Sequence, residues 1–152
     1  MVALLAAVAV AGGVVHADGR VGQFRIDATT DAQVRRALGP PTRVYPAIWE
    51  PTGKRIGTRL VYGRTTYSFR GRRLADFETR SPAFRTERGS RVGMTGSAAA
   101  ARERRRIVPG CTGPTIHLRW DRHHAFVLGI VRGRVWSIVY IGPHTTRYEP
   151  FC

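Results

Sequence analysis

The chain has 152 residues, with 25 Lys plus Arg against 10 Asp plus Glu, a formal net charge of +15 and two cysteines. That length suits one compact domain or two half-domains sharing a core and excludes a large multidomain assembly. The charge invites an acidic partner, yet the arginines are spread over every segment, and a solvated surface is the plainer account of them.

Met1 to Ala17 is an almost unbroken Ala/Val/Leu run without Asp, Glu, Lys or Arg, and it ends in the small-x-small triplet Val15-His16-Ala17. The expectation is a signal peptide over 1–17 and a mature chain from Asp18, secreted or held in the cell envelope, with no transmembrane anchor in the mature form. The run falls short of the roughly 18–20 residues that span hydrocarbon.

Phe24 to Arg36 and Gly89 to Arg102 share one turn-into-helix entrance. Superposing Arg25 on Arg91 pairs Ile26 with Val92, Ala28 with Met94, Thr29 with Thr95 and Asp31 with Ser97. Each entrance is followed by Arg-Gly-Arg between apolar runs, at Phe69 to Leu74 and Val131 to Trp136. Internal repetition decides an architecture before local detail does. The chain therefore reads as α+β, two tandem helix-plus-antiparallel-meander repeats with the helices on one face of the sheet. Repeat 1 covers 18–88, with a helix near 30–38 and strands within 59–79; repeat 2 covers 89–152, with a helix near 97–106 and strands within 115–141.

In the first repeat Thr29, Thr30 or Asp31 caps a helix that turns Ala32, Val34, Ala37 and Leu38 inward, and Gly39-Pro40-Pro41 stops it. Pro46, Pro51, Gly53 and Gly57 predict a long loop from Thr42 to Thr58, with at most a short edge strand near Arg43 to Tyr45. Three strands follow, turning at Gly63-Arg64 and Gly71-Arg72, with Leu60, Tyr62, Tyr67, Phe69, Ala75 and Phe77 offering apolar faces. A crossover from Ser81 to Arg88 tucks Phe84 inward.

The second helix has high propensity and a thin apolar stripe. Of the strands after it, Ala125 to Val131 and Arg134 to Ile141 are apolar on both faces. By simple alternation Val135, Val139 and Ile141 share one side and Trp136, Ile138 and Tyr140 the other. The aromatic side is assigned to a partner and the smaller side to the helices, although core burial of the aromatic side competes closely with that assignment.

Cys111 and Cys152 form an even pair, which in an exported chain reads as a disulfide. The cluster Trp120-Asp121-Arg122-His123-His124, with His117 nearby, is the one histidine grouping, but adjacent histidines in a turn diverge, so no metal site is expected. No nucleophile elbow, phosphate loop or paired-carboxylate spacing occurs. Neither a catalytic residue nor a cofactor is assigned.

The entrance Gly-x-Arg-Val-Gly-Met-Thr, the short helices, the Leu-Gly-Pro-Pro stop and the hairpin meanders resemble the superfamily joining β-lactamase inhibitory proteins to the SmpA/OmlA (BamE-like) envelope lipoproteins. That resemblance implies α+β units with one sheet face free for a protein partner. Asp27 stands where the motif's glycine is expected, and no lipid-accepting cysteine sits at the cleavage site. The functional expectation is a secreted, non-enzymatic protein-interaction module, an inhibitor or an envelope-associated binder, using Trp136, Tyr140, Trp120, Tyr67 and Trp49. Its partner is a protein or a second copy of the chain. The alternative is a cationic envelope protein that binds a polyanion through Arg70, Arg72, Arg132 and Arg134.

Overall fold

The computed structural model describes residues 12–49, 52–110 and 112–143. Its elements are β1 (Gly13–Val15), β2 (Arg20–Val21), β3 (Phe24–Arg25), α1 (Asp31–Leu38), β4 (Arg43–Trp49), β5 (Lys54–Tyr62), β6 (Thr65–Arg70), β7 (Arg73–Thr79), β8 (Phe84–Thr86), α2 (Gly96–Glu103), β9 (Ile107–Val108), β10 (Thr115–Trp120), β11 (Ala125–Val131) and β12 (Arg134–Ile141). Eight strands form an antiparallel sheet in the order β4-β5-β6-β7-β12-β11-β10-β9, and four form a small mixed sheet in the order β3-β2-β1-β8.

This overturns the α+β reading. The described residues are mostly β, with two helices of eight residues each among them, and they do not form a tandem of helix-plus-meander repeats. Strands of both halves merge where β7 pairs with β12, Phe77 opposite Tyr140 and Thr79 opposite Ile138. The loop expected over Thr42 to Thr58 is largely a long edge hairpin of β4 and β5; Pro46 sits on that edge, where a missing donor costs no ladder bond. The small sheet was not anticipated, because runs of two or three residues carry too little periodicity to register.

What does recur is local. Thr30 caps α1 in a capping box with Gln33, and Thr95 caps α2. Both entrances clip onto a hairpin turn: Asp31 N–H donates to Arg72 C=O as Gly96 N–H does to Gly133 C=O, and Leu74 N–H to Thr29 C=O as Val135 N–H does to Met94 C=O. Asp27, at φ 65°, occupies the left-handed conformation that Gly93 adopts at φ 93°, a region aspartate tolerates better than most residues. The second helix ends at Glu103, short of the expected 106, because Arg104 turns left-handed and closes its last carbonyls.

The core lies between the inner face of the large sheet, the small sheet and the helices. An aromatic chain joins the layers: Phe24 of β3 meets Tyr67 at 5.5 Å, Tyr67 meets Phe77 at 5.5 Å, and Phe77 meets Phe84 of β8 at 5.0 Å. Val34 and Ala99 are the helix residues with no exposed surface.

The N-terminal strand belongs to this core. β1 links β2 to β8, the latter in parallel, and Val15 has no exposed surface. The Ala17 carbonyl accepts hydrogen bonds from Arg119 Nη1 at 2.8 Å and Tyr140 Oη at 3.2 Å. No helix among the described residues is long and apolar enough to cross a membrane. Residues 1–11 of the expected signal peptide over 1–17 lie outside the described residues.

Candidate functional site

The outer face of the large sheet carries a groove of about 680 Å³. Its floor is Val61, Val127, Val139 and Ile141, its polar wall is Thr66, Ser68, Asp76 and Glu78, and Tyr45, Val131 and Trp136 stand at the mouth. Register puts these residues together, since Ser68 pairs with Asp76, Thr66 with Glu78, Glu78 with Val139, and Val127 with Val139. Three of the large apolar residues exposed in the described chain, Tyr45, Val131 and Trp136, line this one groove.

A bulge decides where Trp136 goes. Gly129 pairs with Ser137 and Ile130 with Val135, which leaves Trp136 as the extra residue of β12. Without that bulge, alternation would send Trp136 inward beside Ile138 and Tyr140. With it, Ile138 and Tyr140 fall in the core while Trp136 is 43% exposed. The Arg80 guanidinium lies 5.2 Å from the Trp136 ring centroid and pairs with Glu78 at 3.3 Å. The cation–π contact orients the indole; the half-exposed ion pair adds little.

The residues assigned to a partner therefore separate. Trp136 is at the groove mouth. Tyr140, with no exposed surface, and Tyr67, 1% exposed, are core residues and cannot meet a partner. Trp120 is exposed on the outer face, stacked on His117 at 4.5 Å, but it pairs across the strands with Ala125, at the end of β11 remote from Trp136. Trp49 ends β4, and its side chain lies outside the described residues.

The arginines do not converge either. Arg70 and Arg72 flank the β6–β7 turn and Arg132 and Arg134 the β11–β12 turn, and all lie at least partly in solvent. Because Asp76 pairs with Ile141, the first turn lies at the end of β12 opposite Arg134. The two turns are about 25–30 Å apart at strand rise. The register thus divides the four arginines into two pairs at opposite ends of β12.

Asp121 organises the β10–β11 turn. Its carboxylate accepts from the backbone N–H groups of His123 and His124, both at 2.9 Å, and from Arg119 Nε at 2.6 Å. The His123 backbone bond first, and then Arg119, hold its acidity well below the ordinary carboxylate range. A carboxyl with a depressed folded pKa stabilises above its unfolded value, near pH 4, and loses that stabilisation as pH falls through the lower folded one. Asp121→Asn is accordingly expected to flatten the acid limb of the stability–pH profile below about pH 4, as read by thermal melts in a pH series. An unchanged limb would mean that the turn does not depend on the charge. Among the described residues no group of three His, Cys, Asp or Glu side chains could hold a metal ion.

Sequence reasoning missed the groove because its wall and floor come from strands far apart in the chain. It also missed two buried polar atoms on the outer face. Thr115, 2% exposed, has a hydroxyl with no partner among the described residues, and so has Nε2 of His117. Their positions follow from pairing Thr115 with Gly129 and His117 with Val127.

No family model and no curated protein matches the chain. The fold is similar to that of a solved structure, the uncharacterized protein yfeY from Escherichia coli, with a TM-score of 0.52 over 86% of this chain and 99% of that one, at 11% identity. Likeness at that identity speaks to fold alone.

Proposed function

We propose that the chain is a secreted or envelope-associated protein-interaction module that binds without chemistry, and that its partner surface is the groove mouth around Trp136, Tyr45 and Val131. The observation that carries this reading is the bulge that turns Trp136 out of a strand whose Val135, Ile138 and Tyr140 are buried. Bulges are used to re-aim a side chain, and tryptophan is the residue type most enriched among interface anchors. The proposal includes the kinship with β-lactamase inhibitory and SmpA/OmlA proteins, resting on the two threonine-capped helix entrances, and with it the choice between an inhibitor and an envelope binder.

Trp136→Ala is expected to weaken a partner complex by about 2 kcal/mol or more while shifting the melting temperature little, since the indole is half in solvent. Binding by wild type should change little between low and high salt. Capture from envelope extract at both salts, followed by titration of the recovered partner against wild type and variant, tests this. Steep salt dependence with Trp136→Ala binding as well as wild type would overturn the reading in favour of polyanion attraction.

A further inference from the structure

We infer that arginines of β4, β5, β6 and β7 form a second binding surface, an oblique stripe on the outer face of the large sheet that takes a linear phosphate polymer. From 54 to 73 the chain carries Lys54, six arginines and neither Asp nor Glu. Register decides which of them share a face. Gly57 pairs with Arg70 and Arg70 with Arg73, while Tyr45 pairs with Arg59 and Arg59 with Ser68. Tyr45, Arg59 and Ser68 line the outer-face groove. Arg70, two residues beyond Ser68, and Arg73 opposite it therefore lie on that face as well. Arg43, two residues before Tyr45, reaches the Tyr45 hydroxyl with Nη1 at 3.3 Å and continues the line.

Packing within the chain does not call for this arrangement. Arg70 and Arg73 stand directly opposite each other across an antiparallel pair, where like charges are destabilising. Among the described residues the guanidinium groups of Arg59, Arg70 and Arg72 have neither a hydrogen-bond nor an ion-pair partner. Arg73 Nη1 donates to the backbone C=O of Asp27 at 3.4 Å. Asp27 lines a shallow pocket of about 390 Å³ with Arg70 and Arg73, and Asp76 pairs with Ser68. Those two carboxylates border the stripe at its β7 end, and its five arginines outnumber them.

Arg70, Arg59 and Arg43 sit on three adjacent strands, each one diagonal step from the last, because Gly57 faces Arg70 and Val61 faces Arg43. Diagonal neighbours lie about 7–8 Å apart, so the line from Arg73 to Arg43 is about 20 Å long. That shape chooses among anions. A lipid surface meets cations gathered in one plane, whereas a line receding from the β6–β7 turn along the sheet matches the successive charges of one flexible chain. Guanidinium forks hold phosphate oxygens bidentately. The surface is independent of the partner reading, since Arg72 lies in a turn about 25–30 Å from the one beside Trp136.

The test is fluorescence anisotropy of labelled inorganic polyphosphate titrated with the full chain over a salt series. Neutralising about four phosphates should make log K fall with log salt at a slope of about −3, or roughly fifty-fold between 50 and 200 mM salt. Arg59→Gln/Arg70→Gln/Arg72→Gln should weaken binding at least about ten-fold and flatten the slope by about two. Its melting temperature should hold or rise, because none of the three side chains holds another group and a like-charge pair is relieved. Arg105→Gln/Arg106→Gln/Arg122→Gln removes the same charge elsewhere and should lose less than about three-fold. Equal losses in the two triple variants, tighter binding to phosphatidylglycerol vesicles or to heparin than to polyphosphate, or no binding at the lowest salt overturns the stripe. Trp136→Ala separates the two proposals. Loss of a protein partner with polyphosphate binding intact sustains both, retention of both ligands defeats the partner reading alone, and loss of polyphosphate binding overturns the stripe.

Discussion

Tyr67→Ala is expected to lower stability by about 3–5 kcal/mol, a fall of roughly 10–20 °C in melting temperature. Tyr67 is 1% exposed and touches Phe24, Tyr62 and Phe77, with ring centroids 5.5–6.0 Å away. It is the ring through which β3 of the small sheet rests on the large one, so its removal opens a cavity between layers that cannot close by moving one side chain. Trp120→Ala is the companion measurement: an exposed ring stacked on a histidine should cost no more than about 1 kcal/mol. Urea titrations of the two variants check the contrast. If they fell by equal amounts, Tyr67 would not be the interlayer contact described here.

A chain beginning at Asp18 is expected to be less stable than one beginning at Gly12 by at least about 4 kcal/mol. The shorter chain lacks Val15, which is wholly buried, and the bonds from Gly13 N–H to Ala83 C=O, from Gly22 N–H to Val14 C=O and from His16 N–H to Arg20 C=O. It also strips the shared acceptor from Arg119 and Tyr140, leaving their donors without the Ala17 carbonyl. With β1 gone, β8 has no strand beside it in the small sheet. A mature chain that started at Asp18 would dispense with all of these contacts. Thermal melts of the two chains check this; equal melting would show that β1 is dispensable.

What the amino-acid order determined by itself is whatever depends on neighbours along the chain. Thr30 with Gln33, Thr95, Gly39 and Gly71 mark caps and turns because side chains and φ angles there act within four residues. The one-sided alternation of Thr65 to Arg70 likewise announced Tyr67 and Phe69 as a face. Tertiary structure alone decided which face is core and how many sheets exist. The pairing of β7 with β12 and the parallel pairing of β1 with β8 join residues about 60–70 positions apart, and nothing in a local window encodes such a partner. The bulge at Trp136 exists only in the register between β11 and β12. One extra residue there reverses the side a strand presents, which is why Tyr140 is core and Trp136 is half-exposed on the outer face.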